Sequence, residues 1–144
     1  MPPYDPLPDL PDLQSWRRAN DNPAISLLDY VGFVGTMDSM ASHAALFDPD
    51  LVDFEGARFL AHRFSVEGAE QWRTQGLSLP DIQRVMNHVH VSTLLQSGAS
   101  DEASDWFAER LASIWRKTIV GANVEVSGRG YHEATVTFSE KTTG

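Results

Sequence analysis

The sequence predicts an α+β domain, with an antiparallel sheet built from two β-hairpins (about 51–63 and 123–139) and four to five packed helices, the longest at about 101–120. Three observations lead there. Two segments alternate apolar and polar residues on both sides of a glycine turn, the period of half-buried strands. The segments between them carry helical periodicity with recognisable caps. The 144 residues, 42% hydrophobic, suit one domain that buries roughly 70% of its unfolded surface. With no cysteine, packing must hold the fold, and disulfides, thiolate zinc sites and a cysteine nucleophile are excluded.

Residues 1–23 read as an acidic, proline-rich leader, since five of the eight prolines fall within the first eleven residues and remove helix and ladder hydrogen bonds there. The leader is extended or holds a short helix from Asp12 through Trp16 to Arg18, closed by the breaker Asn-Asp-Asn-Pro at Asn20 to Pro23. A single α+β domain is expected over 24–144. Residues 24–47 read as one or two helices, weakened at Gly32 and Gly35 and ended by Phe-Asp-Pro-Asp. No Gly-Lys-Ser/Thr follows those glycines, so they predict a kink or close packing and not a phosphate loop.

The stretch Leu51 to Phe64 folds as a hairpin about Glu55-Gly56, with Val52, Phe54, Ala57, Phe59 and Ala61 on one face and Asp53 opposite Arg58 on the other. Ser65 to Gln75 is a short helix displaying Trp72. A capping box is expected at Ser78 and Asp81, with Pro80 tolerated in the first turn, opening a helix that runs on through Asn-His-Val-His toward Leu95. From Asp101 to Val120 acids precede and Arg116 and Lys117 follow an apolar stripe of Ala103, Trp106, Phe107, Leu111, Ile114, Trp115 and Ile119. Gly121 ends it. In the second hairpin Val124 and Val126 answer Ala134, Val136 and Phe138 across a glycine-rich turn. Helices over one face of the sheet complete the expected architecture.

Charge is polarised along the chain. Residues 1–55 hold ten acids against Arg17 and Arg18, a net of −8 out of −9. With no basic stripe, direct nucleic-acid binding is not expected. The N-terminus lacks the basic and apolar regions of a signal peptide, and Asp29, Asp38 and His43 interrupt the longest apolar segment, so a cytoplasmic protein without a membrane contact is expected.

The candidate chemistry centres on histidines and acids. On a helix His88 and His90 diverge by roughly 200° and cannot chelate one ion; if the chain becomes extended near Asn87 they share a face, with His62 or His132 as a third metal ligand. Histidines bonded to backbone carbonyls near the hairpins are the expected arrangement. The run Asp48, Asp50, Asp53 and Glu55 offers oxygen ligands for magnesium, but Leu51 and Val52 interrupt it in a strand pattern, so a solvated edge or a partner-binding patch is the better reading. No Gly-x-Ser-x-Gly elbow is present. No catalytic residue and no cofactor are expected.

The stretch LFDPDLVDFEGARFLAHRF, followed by MNHVHVSTLL, a tryptophan-rich helix and a terminal hairpin ending ATVTF, resembles a family of small uncharacterised bacterial proteins over roughly residues 25–139. The resemblance implies a shared layout and no mechanism. Small size, the lack of catalytic motifs and the polarised acidity lead to an immunity- or inhibitor-type domain that occludes a basic surface of a toxin, nuclease or other effector. The alternatives are acidity that serves solubility only, a small metal-dependent enzyme using the histidines, and an accessory subunit recruited through the proline-rich arm.

Overall fold

The computed structural model describes residues 8–94, 100–130 and 133–141. It is an α+β fold with, among the described residues, six α-helices and two small antiparallel sheets: α1 (Pro11–Ala19), α2 (Leu27–Val34), α3 (Met37–Phe47), β1 (Leu51–Phe54), β2 (Ala57–Leu60), α4 (Val66–Thr74), α5 (Leu79–Met86), β3 (Val89–His90), a 3-10 turn (Val91–Leu94), α6 (Asp101–Thr118), β4 (Ala122–Ser127) and β5 (Thr135–Glu140). One sheet is β1-β2 and the other β3-β5-β4. The hairpins therefore do not form one sheet.

The first hairpin has the expected register, with Val52 opposite Phe59 and Asp53 opposite Arg58. Glu55 and Gly56 adopt φ values of 54° and 81°, the positive angles of a primed hairpin turn. For Glu55 this left-handed geometry costs about 1 kcal/mol, and its carboxylate is held by Arg73. Ala57 and Phe59 enter a small core with Ala69 of α4 and Ile82 of α5, while Leu60, on the opposite face of the strand, enters the main core. In the second hairpin Gly128 has φ 72°, and a Cβ there would lie 2.1 Å from the Glu133 carbonyl oxygen, so no other residue fits.

Helix α6 spans the main core, but its buried stripe is Ser104, Ala108, Leu111, Ala112 and Trp115. Trp106, Phe107 and Ile114, expected on that stripe, are half-buried beside it. Small residues on the contact line let the helix approach the sheet closely, and Trp115 meets Phe138 of β5 edge-on at 5.6 Å. On the other face of β5 the Thr137 hydroxyl donates to the Arg84 carbonyl of α5 at 2.7 Å, so helices cover both faces and not one.

The expected long helix from Ser78 stops at Met86. Ser78 caps it, accepting from the Asp81 N–H and donating its hydroxyl to the Asp81 carboxylate. Asn87 closes it because its side chain is committed elsewhere. The Asn87 amide donates to the carbonyls of Arg58 (3.1 Å) and Phe138 (3.2 Å) and accepts from the Leu60 N–H (3.0 Å). One turn earlier Gln83 donates to the Arg58 carbonyl (3.1 Å) and accepts from the Glu140 N–H (3.0 Å). Both amide side chains are buried. They lie between the outer edge of β2 and the part of β5 that the short β3 does not reach, and supply the hydrogen bonds that a neighbouring strand would otherwise make. Beside them Glu140 accepts from the Arg58 guanidinium at two atoms (both 2.9 Å) and from the Arg58 N–H (3.0 Å).

Replacing Asn87 by Leu keeps the branched outline of the side chain, though it is bulkier, and leaves buried backbone groups on both sheets unpaired. A loss of about 3 kcal/mol is expected, read as a lower urea midpoint; a parental midpoint would show that the sheets are not joined this way. The Arg58 hydrogen bonds hold the Glu140 carboxyl below its usual range. That stabilisation is complete above the unfolded glutamate pKa of about 4.3 and is lost as pH falls through the lowered folded value. The urea midpoint of the parent should therefore fall more steeply below about pH 4 than that of Glu140→Gln.

Candidate functional site

The four acids of the candidate patch follow α3 into the first hairpin, and all are exposed. Asp48 ends α3, its N–H bonded to the Ala44 carbonyl. Asp50 lines an open cleft of about 520 Å³ with Ala45, Leu46, Pro49, Ala61 and His62. Asp53 accepts the Gly56 N–H across the turn at 3.1 Å, and Glu55 is paired to Arg73. Two of the four are thus engaged within the domain, while no described side chain pairs with Asp48 or Asp50. The expected Asp53–Arg58 ion pair does not form, although the strand register puts the two residues opposite each other. Arg58 turns to Glu140, where it makes two hydrogen bonds in a partly buried setting and not one across an exposed hairpin.

Because α5 ends at Met86, His88 and His90 lie on an extended segment and share a face, with ring centroids 4.8 Å apart. Imidazole Nδ1 of His88 bonds the Val85 carbonyl, and Nδ1 of His90 bonds the Thr135 hydroxyl at 3.0 Å. The Arg63 guanidinium donates to the His88 carbonyl (2.6 Å) and to Nε2 of His62 (3.3 Å). The Arg63 cation thus occupies Nε2 of His62 and opposes a second positive charge there. His132 lies outside the described residues. Among the described residues no group of three His, Cys, Asp or Glu side chains is placed to hold a metal ion.

The strongest surface feature is one that sequence reasoning assigned only as helix. Neither α2 nor α3 buries a residue, and Leu28, Val31, Phe33, Val34, Met37 and Met40 are exposed. Gly35 joins the two helices, and a Cβ there would lie 2.6 Å from the Val31 carbonyl oxygen and 3.6 Å from Val31 Cγ1 and Met40 Sδ. Trp16 of α1 stacks on Phe33 at 5.0 Å. The far end of α3 is anchored on α6: Trp115 Nε1 donates to the Leu46 carbonyl (2.9 Å) and the Thr118 hydroxyl to that of Phe47 (3.3 Å). Ser26 and Asp29 form a full capping box on α2, and the Ser26 backbone N–H, with its hydroxyl second, holds the Asp29 carboxyl below its usual range. From Ala19 to Ala57 there are seven acids and no Lys or Arg. The signal was present in the sequence as apolar residues at mixed spacing that fix no single buried stripe.

Among the described residues no helix is long and apolar enough to cross a membrane. Comparison with protein-family models, with curated proteins and with solved structures finds no match to this chain. No residue role is therefore carried over from a relative.

If two imidazoles beside Arg63 are all that a metal meets, one equivalent of zinc should leave the thermal midpoint of the parent unchanged. A zinc-dependent rise that disappears in His88→Ala would restore the metal-site reading.

Proposed function

We propose that this is a small acidic protein-binding domain of the immunity or inhibitor type, which occludes a basic surface of a toxin, nuclease or other effector. The observation that carries the reading is the stretch from Ala19 to Ala57, where seven acids stand without one cation and the apolar side chains of two helices remain exposed. Beyond Ala57 acids and cations nearly balance, with Arg58, Arg84 and Arg129 paired to Glu140, Glu125 and Glu109, and only Arg73 reaches back into the stretch, to Glu55. The unbalanced field therefore belongs to the N-terminal half. Such a field accelerates encounter with a positive surface and disfavours anionic competitors, including nucleic acid. Acidity that served solubility alone would not need apolar side chains exposed in the same stretch.

The test is kinetic. Capture a partner from the native host, then measure its association rate at several salt concentrations. Asp48→Asn with Asp50→Asn should slow association and flatten its salt dependence, because neither carboxylate has a competing role in the fold. Asp53→Asn should change the rate less, since Asp53 is occupied by the Gly56 N–H. Identical rates and salt slopes for the parent and the quadruple variant, with Asp53→Asn and Glu55→Gln added, would leave the acidity as a solubility feature.

A further inference from the structure

We infer that the exposed α2–α3 face is a docking surface for a basic amphipathic helix supplied by the partner; the inference rests on the binding function proposed above and assigns its place and chemistry. Leu28 and Met37 are each 81% exposed, and Phe33 is 52% exposed. Val31 of α2 and Met40 of α3 flank Gly35 at the elbow between the helices, each 3.6 Å from where a Cβ would stand, so apolar side chains continue from one helix to the next around that elbow. Leu28 and Phe33 also line a depression with Ile25, Gly32, Asn22 and Asp29. Of the two helices only the C-terminal end of α3, at Leu46 and Phe47, packs against the main core; Leu28, Val31, Phe33, Met37 and Met40 belong to neither core.

The backbone chemistry favours a helix as the occupant. Both segments are helices, with their backbone bonds made along the helix and their N-termini capped by Ser26 and Thr36, so a partner finds no free strand edge to extend. An extended peptide laid on this face would leave its own backbone groups unpaired against apolar side chains. A helix brings its backbone bonds with it and presents apolar residues at i, i+3, i+4 and i+7. Met37 and Met40 suit such a contact because unbranched thioethers adapt to the shape offered.

Charge selects the sign of the partner. Asp29 lines the depression, Asp38 lies in the first turn of α3, and no cation lies between Ala19 and Ala57. On α1, Arg17 is turned to the Ile25 carbonyl and Arg18 to the Ser15 hydroxyl. A second copy of this chain would set acid against acid in a self-complementary interface, and an anionic lipid surface would be repelled. A helix with Lys or Arg flanking its apolar stripe meets both requirements.

The test uses the full chain and two labelled synthetic peptides of equal Leu/Lys composition, one patterned as an amphipathic helix and one scrambled, with binding followed by fluorescence anisotropy. The patterned peptide should bind at least about tenfold more tightly. Leu28→Ser combined with Met37→Ser should abolish that preference while leaving the thermal midpoint and the salt-sensitive binding of the scrambled peptide unchanged. Equal affinity for the two peptides, or a preference that survives in the double variant, would overturn the docking surface while leaving a charge-driven binding function standing. Concentration-dependent dimerisation abolished by the double variant would overturn it in favour of a second copy. Failure of both peptides to bind at low salt would overturn the docking surface and the binding function together.

Discussion

The fold depends on two buried amides. β2 and β5 present backbone groups toward each other without forming a ladder, and exposed strand edges of this kind are templates for unwanted pairing. Gln83 and Asn87, one helical turn apart on α5, fill the gap by bonding the Arg58, Leu60, Phe138 and Glu140 backbones. An amide is the right group because it donates and accepts at one position, as a peptide unit does. The low dielectric of the buried site strengthens each bond and also raises the cost of losing one. A two-stranded hairpin is marginal by itself; here it becomes part of a five-strand framework without adding a strand.

That junction settles what happens to the chain on either side. With its side chain committed to both sheets, Asn87 ends α5, and the next residues turn extended so that Val89 and Val91 enter the main core. His88 and His90 are brought to one face as a consequence of this burial, and their ring nitrogens bond the local backbone and Thr135. The pairing of two histidines is thus explained by packing. At the other end of the fold Trp115 and Thr118 bond the last carbonyls of α3, so this helix is held by its C-terminus while its apolar sides stay exposed.

Much of the architecture was legible because local chemistry and long-range packing agree. The Glu55-Gly56 turn, the alternation about it and the capped, amphipathic α6 each carry their own signal. The residues that failed are those whose role depends on distant partners. Arg58 looked committed to Asp53 five residues away, but Glu140, 82 residues away, offers a better bidentate and more buried site. Ser78 marks where α5 begins, yet only contacts with Arg58 and Phe138 determine where it ends; the Val-His-Val alternation after Asn87 was the available hint. On α6 the large side chains Trp106 and Phe107 suggested the core face, whereas close approach to the sheet selects the line through Ser104, Ala108 and Ala112.

The acid patch shows the same division between chemistry that is used internally and chemistry that is left over. Spacing alone treats Asp48, Asp50, Asp53 and Glu55 as equivalents, but Asp53 is occupied by the hairpin turn and Glu55 by Arg73. Asp48 and Asp50 have no comparable work in the fold, and they lie directly after the exposed helix pair. Charge without a counter-ion and apolar surface without a cover are each unfavourable or idle in an isolated domain, and a chain of this size could bury or pair them at little cost. Their concentration in one continuous segment, beside a body whose other acids and cations nearly balance, is what separates an interaction surface from a merely acidic one.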